Sequence, residues 1–178
     1  LKDAGDRAAE NFVSDQDAAY YAKLYRKCGL KGGHVILLNG RDSSFYEATK
    51  RQAYLALSAY PGGLQAGGGI TAENAAEFIG AGASHVIVTS YVFQEGRIRY
   101  DRLDELVKRV GRQRLVLDLS ARKKDGRYLI VTDRWQKYTE VELTEQTLEE
   151  LSAYCDEFLV HAVDVEGKAE GIEEEIAK

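Results

Sequence analysis

Five short apolar runs limit what this chain can fold into. They are centred near Ile36, Gln65, Ile87, Leu117 and Val160, and stretches of helical periodicity separate them. The clearest is Leu115-Val116-Leu117-Asp118-Leu119-Ser120. Alternation puts Val116, Asp118 and Ser120 on one face and the three leucines on the other. Both faces are largely apolar, which marks a strand covered on each side in a parallel sheet. A leading helix followed by repeated strand–helix units predicts right-handed crossovers. Two architectures satisfy this pattern: a doubly wound open sheet, or part of a (β/α)8 barrel. No G-x-G-x-x-G joins a first strand to a helix, so the dinucleotide-binding fingerprint is missing.

Local signals place the helices. Ser14 is expected to cap the first, with Asp17 three residues on. That helix runs to about Cys28, with Tyr21, Leu24, Tyr25 and Cys28 on one stripe. Ser43 or Ser44 is expected to cap the second helix, Thr71 the third with Glu73 in its first turn, Asp101 the fourth and Thr144 the fifth. Residues 1–11 read as a loop, 167–171 as another, and a further helix is expected to start at Ile172.

A chain of 178 residues suits a single domain, residues 1–178. Its net charge of −5 argues against broad nucleic-acid or membrane-surface binding. Cys28 and Cys155 form neither a metal spacing nor a disulfide framework, which suits a reducing compartment, expected to be the cytoplasm. No run is long enough for a membrane helix. The sequence holds no methionine, so Leu1 reads as an internal residue of a longer product.

Several residues could carry chemistry. Asp118 in a buried strand must be desolvated, hydrogen-bonded or in use. The alternative is a carboxylate capping a backbone turn. Gly67-Gly68-Gly69 lies between a strand and a predicted helix start. Glycines let the backbone approach an anion, and a helix N-terminus adds partial positive charge. The next strand ends in Thr89-Ser90. Adjacent parallel strands lie about 5 Å apart, so both loops can grip one phosphate. The alternative is three glycines in a tight turn. His161 is either a satisfied core histidine or, in a barrel, a neighbour of Asp118. Trp135 either packs in a local hairpin or stacks on a flat heterocycle. His34 and His85 open strands at the opposite end and read as structural.

Together these stretches resemble the ProFAR isomerase family of histidine biosynthesis. The motifs are Leu64-Gln65-Ala66-Gly67-Gly68-Gly69-Ile70, Val86-Ile87-Val88-Thr89-Ser90 and Val116-Leu117-Asp118-Leu119. Tyr20-Tyr21-Ala22-Lys23-Leu24-Tyr25 and His161-Ala162-Val163-Asp164-Val165-Glu166-Gly167 resemble its eukaryotic branch. The resemblance implies a (β/α)8 barrel and an Amadori rearrangement of a bis-phosphorylated ribonucleotide, aminoaldose to aminoketose, with no cofactor or metal and a monomer when full length. It makes Asp118 the general acid on the fifth strand, and Trp135 the residue that stacks on the imidazole carboxamide. His161 stands where bacterial relatives carry a threonine, and Thr71 where they carry an arginine.

A barrel of this type needs about 250 residues. The resemblance therefore reads the chain as strands two to six. The first-strand base would lie before Leu1 and the second phosphate site after Lys178. The 178 residues alone are accordingly expected to be inactive and poorly stable. Other readings are the related cyclase barrel of imidazole glycerol phosphate synthase and a non-catalytic phosphate-binding barrel.

Overall fold

A computed structural model describes residues 12–133, 135–165, 168 and 171–176. The expected loop over residues 1–11, and Glu166 and Gly167 of the last motif, lie outside the described residues.

The chain opens with helix α1 (Ala18–Lys27), then β1 (Gly33–Ile36), α2 (Tyr46–Ala59), β2 (Leu64–Gly67), α3 (Ala75–Gly80) and β3 (His85–Val88). A small hairpin, β4 (Phe93–Gln94) and β5 (Arg97–Ile98), precedes α4 (Tyr100–Val110). Then come β6 (Leu115–Lys124), β7 (Arg127–Thr132), β8 (Lys137–Glu142), α5 (Glu145–Ser152) and β9 (Glu157–Ala162). Strands β1, β2, β3, β6 and β9 are all parallel and adjacent in sequence order. A doubly wound sheet would reverse its order at a switch point; this sheet does not, which excludes that alternative.

Alternation along the strands sorts the two faces. Outward side chains Ala66, Val86, Val88, Leu115, Leu117 and Leu119 meet Leu57, Phe78, Leu103, Leu106 and Leu151 from the helices, and all are buried. The inward row Ile36, Gly67, Ile87, Val116 and Glu157 is fixed by register across all five strands. Ile87 and Val116 are buried there, whereas Ile36 on the edge strand is 44% exposed.

Strand β6 outruns its parallel neighbours. Its first half lies in the wall between β3 and β9. Its second half pairs antiparallel with β7, which pairs with β8. An Asp125-Gly126 turn with both residues at positive φ (51° and 78°) joins β6 to β7, the pairing favoured in two-residue hairpins. Asp118 is therefore not at a strand end, as the sequence suggested. It sits where the wall gives way to a three-stranded ribbon.

Several helix starts differ from expectation. Asp17, not Ser14, caps α1: its Oδ1 accepts the Tyr20 N–H at 2.9 Å. Ser14 instead accepts from the Gln16 N–H and the Tyr21 hydroxyl. Only Ala22 of α1 is fully buried, and Leu24 and Tyr25 remain exposed, so the expected apolar stripe is not covered. Helix α4 begins at Tyr100. Asp101 lies in its first turn, paired with Arg99, rather than at its cap. Thr144 does cap α5, accepting the Thr147 N–H. Residues 171–176 contain no helix, against the expected start at Ile172.

Candidate active site

Asp118 projects inward from β6 at the C-terminal end of the parallel wall. Val88 is in register with Leu117, so the next residue on each strand, Thr89 and Asp118, also face each other. The Thr89 hydroxyl donates to Asp118 Oδ2 at 2.9 Å, and the Ser120 hydroxyl donates to Oδ1 at 2.7 Å. Both carboxylate oxygens are thus held by hydroxyls, which fixes the plane of the group. Ser120 is in register with His161 on β9, and its Oγ lies 3.3 Å from His161 Nδ1. The Trp135 ring meets the His161 ring edge-on, with centroids 5.0 Å apart. Four residues chosen from sequence, Asp118, Thr89, His161 and Trp135, therefore share one cluster. Ser120, which joins two of them, shows in the sequence only as a residue on the same face as Asp118.

The turn carrying Trp135 is strained. Asp133 and Trp135 have φ of 52° and 67°, a region that costs side-chain-bearing residues about 1–2 kcal/mol each. Trp135 is 38% exposed, so its indole is only partly covered by the protein. Trp135 lies in the connection between β7 and β8, but it is exposed and so is not the core residue of a hairpin.

The glycine triplet follows β2. Gly67 belongs to the strand, and its carbonyl accepts the Leu37 N–H at 2.9 Å. Gly68 and Gly69 both have positive φ, and Gly69 borders open space. Helix α3 does not begin at Thr71. Asn74 Oδ1 instead accepts the Thr71 N–H at 2.8 Å, and its Nδ2 donates to the Gly69 carbonyl at 3.1 Å. This clip ties the glycine loop to the turn and delays the helix to Ala75. The six-residue α3 therefore does not aim its N-terminus from the triplet as expected. The cation at this corner is Arg41, from the loop after β1. Its guanidinium donates to Thr71 Oγ1 at 3.1 Å and lies 3.5 Å from Glu73. Nothing local to Arg41 in the sequence marks an anion site. Ser90 Oγ accepts the Asp133 N–H at 3.4 Å, linking the loop after β3 to the Trp135 turn. The hydroxyls of Thr89 and Ser90 thus point to different neighbours in this structure.

His34 and His85 lie at the opposite end of the sheet. His85 contacts Ser84 and, at 3.2 Å, Asp156. Among the described residues no group of three or more His, Cys, Asp or Glu is arranged to hold a metal, and no helix is long and apolar enough to cross a membrane.

Just above the site, Arg122 Nε donates to Asp164 at 2.8 Å, and the Lys123 N–H donates to the same carboxylate at 3.0 Å. Burial pushes the Asp164 carboxyl up, but these bonds outweigh it and hold it below its ordinary value of 3.8. A depressed carboxyl stabilises the fold above its unfolded pKa, and the contribution is lost as pH falls through the folded one. An Asp164→Asn variant is therefore expected to be less stable than wild type above 3.8, and the gap to shrink below it. Denaturant midpoints across that pH range test this.

The family model described as histidine biosynthesis protein matches residues 3–178. The chain belongs to that family. The family's fold is the (β/α)8 barrel, and the five sequential parallel strands form an open section of such a wall. Relatives carry one name, 1-(5-phosphoribosyl)-5-((5-phosphoribosylamino)methylideneamino) imidazole-4-carboxamide isomerase. The chloroplastic protein of Medicago truncatula is 56% identical over 98% of this chain and 54% of its own length. That of Yarrowia lipolytica is 42% identical over 99% of the chain and 66% of its own. That of Saccharomyces cerevisiae is 43% identical over 92% and 60%. The chain thus spans about half to two thirds of the length of these relatives.

Proposed function

We propose that the full-length protein is the isomerase its relatives are named for, turning the aminoaldose ProFAR into an aminoketose by an Amadori rearrangement. The observation that carries this is the inward Asp118, held by Thr89 and Ser120 beside His161 and Trp135 where the pairing of β3 with β6 ends, on the C-terminal side of the parallel wall where barrel enzymes place their chemistry. Asp118 protonates the furanose ring oxygen, and the ring opens to an iminium. A base outside these five strands then removes the C2 proton. Trp135 stacks on the imidazole carboxamide through its exposed indole face, and His161 steadies that ring. The Gly67-Gly68-Gly69 loop, Thr89 and Ser90 hold one phosphate through backbone N–H groups, with Arg41 adding charge at the rim.

The substrate is a small bis-phosphorylated ribonucleotide, and the working unit is a monomer that needs no cofactor. Cys28 and Cys155 are free, as in a reducing compartment. The cytoplasm is one such compartment and a plastid interior, matching the Medicago relative's name, is another. Fractionating cells of the source organism distinguishes them.

Turnover of ProFAR by the full-length protein tests the proposal. Formation of the aminoketose supports it. Cyclase activity on that aminoketose with ammonia, or phosphate binding without turnover, replaces it with one of the other two barrels. Trp135→Ala is expected to raise KM about tenfold, because aromatic stacking on a base contributes about 1–3 kcal/mol in the ground state. An unchanged KM in steady-state kinetics would remove the stacking role.

A further inference from the structure

We infer that Ser120 is a proton relay between His161 and Asp118, and so a positioning residue that acts through the acid. The inference rests on the isomerase reading above. Ser120 is 1% exposed, and its side chain has one polar atom. That atom lies 2.7 Å from Asp118 Oδ1 and 3.3 Å from His161 Nδ1. A hydroxyl has one proton to give and lone pairs to accept with. It cannot donate to both neighbours at once, so its orientation records which of them holds the extra proton. Thr89 also donates to Asp118, at Oδ2. Of the two hydroxyls on the carboxylate, only that of Ser120 reaches, among the described residues, a second side chain able to carry a proton. The register of β6 on β9 places Ser120 opposite His161, so backbone pairing sets the path.

The chemistry needs such a path. Asp118 gives its proton to the ring oxygen, where the product keeps it as a hydroxyl. The carboxylate must be recharged in every cycle. Starting from an imidazolium, His161 passes its Nδ1 proton to Ser120 Oγ while the Ser120 hydroxyl proton moves to Asp118 Oδ1. One N–H and one O–H bond break, and two O–H bonds form. Carboxylate and imidazolium become carboxylic acid and neutral imidazole. The proton that the base removes from C2 balances the one His161 gives up, and His161, whose Nε2 is buried, regains its proton between turnovers. The charged groups nearest along the same face, Arg122 and Asp164, are occupied with each other.

The test uses the full-length protein with ProFAR at fixed pH and increasing imidazole concentration. Ser120→Ala is expected to lower kcat about a hundredfold, in the range for a lost proton-transfer partner. KM should stay near wild type and kcat should climb as imidazole is added, while wild type does not respond. Ser120→Thr, which restores the hydroxyl, should recover most of the loss. His161→Gln leaves Ser120 in place and should show the same loss and the same rescue, so the test does not depend on Ser120→Ala folding. Wild-type kcat in Ser120→Ala, or a low kcat indifferent to imidazole in both variants, overturns the relay and leaves the isomerase standing. Absence of turnover in wild type overturns the isomerase reading, and the relay with it.

Discussion

Asp118→Asn in the full-length protein is expected to lower kcat by about a hundredfold or more while KM changes little. The substitution nearly conserves shape, and its surroundings can adapt. Both partners of the carboxylate are hydroxyls, from Thr89 and Ser120, and a hydroxyl can turn from donor to acceptor. One of them keeps donating to the Asn oxygen, and the other accepts from its amide. The side chain therefore stays in its plane, and the kinetic loss reports chemistry rather than collapse. An amide cannot deliver a proton to the ring oxygen, so the transition state loses a stabilisation the bound substrate never had. Stopped or steady-state turnover with a parallel measurement of substrate affinity checks this. Retention of most activity would take Asp118 out of the acid role.

Much of this site is legible in the sequence, because register does most of the work. Leu115 to Ser120 alternate with both faces buried, so the facing of Asp118 follows from the strand alone. Val86 to Val88 read the same way, which puts Thr89 at the end of another buried strand, but only the register of β3 on β6 brings its hydroxyl to Asp118. What the sequence does not show depends on contacts between distant elements. Ser120 reads as a small polar residue on an inner face until β9 brings His161 opposite it. Residues 121–124 are mostly charged, so periodicity stops the strand at Ser120. Pairing with β7 carries it on. Thr71 and Asn74 are both good capping types, and the helix start is decided by Asn74 reaching back to the Thr71 N–H and the Gly69 carbonyl. Arg41 lies far from the glycine triplet in sequence, and only the adjacency of β1 and β2 delivers it.

The same adjacency makes Gly68 the most demanding backbone position near the site. Its φ is 92°, outside the range that side-chain-bearing residues readily adopt. A Cβ built there would lie 2.1 Å from the Leu37 carbonyl oxygen and 2.7 Å from the Leu37 nitrogen. Those are backbone atoms of a buried residue that is itself tied to Gly67 through the bond from the Leu37 N–H to the Gly67 carbonyl. They cannot yield without pulling the exit of β1 away from β2. Gly68→Ala is therefore expected to cost about 3 kcal/mol or more, lowering Tm of the full-length protein by roughly 10 °C. Gly69→Ala is the control. Its φ of 70° is equally left-handed, but a Cβ there meets nothing within 4 Å. It should cost only the backbone strain, about 1–2 kcal/mol. Thermal melts of the two variants separate steric contact from strain. If Gly69→Ala costs as much as Gly68→Ala, strain alone fixes the loop, and the close approach of Leu37 does not hold it in place.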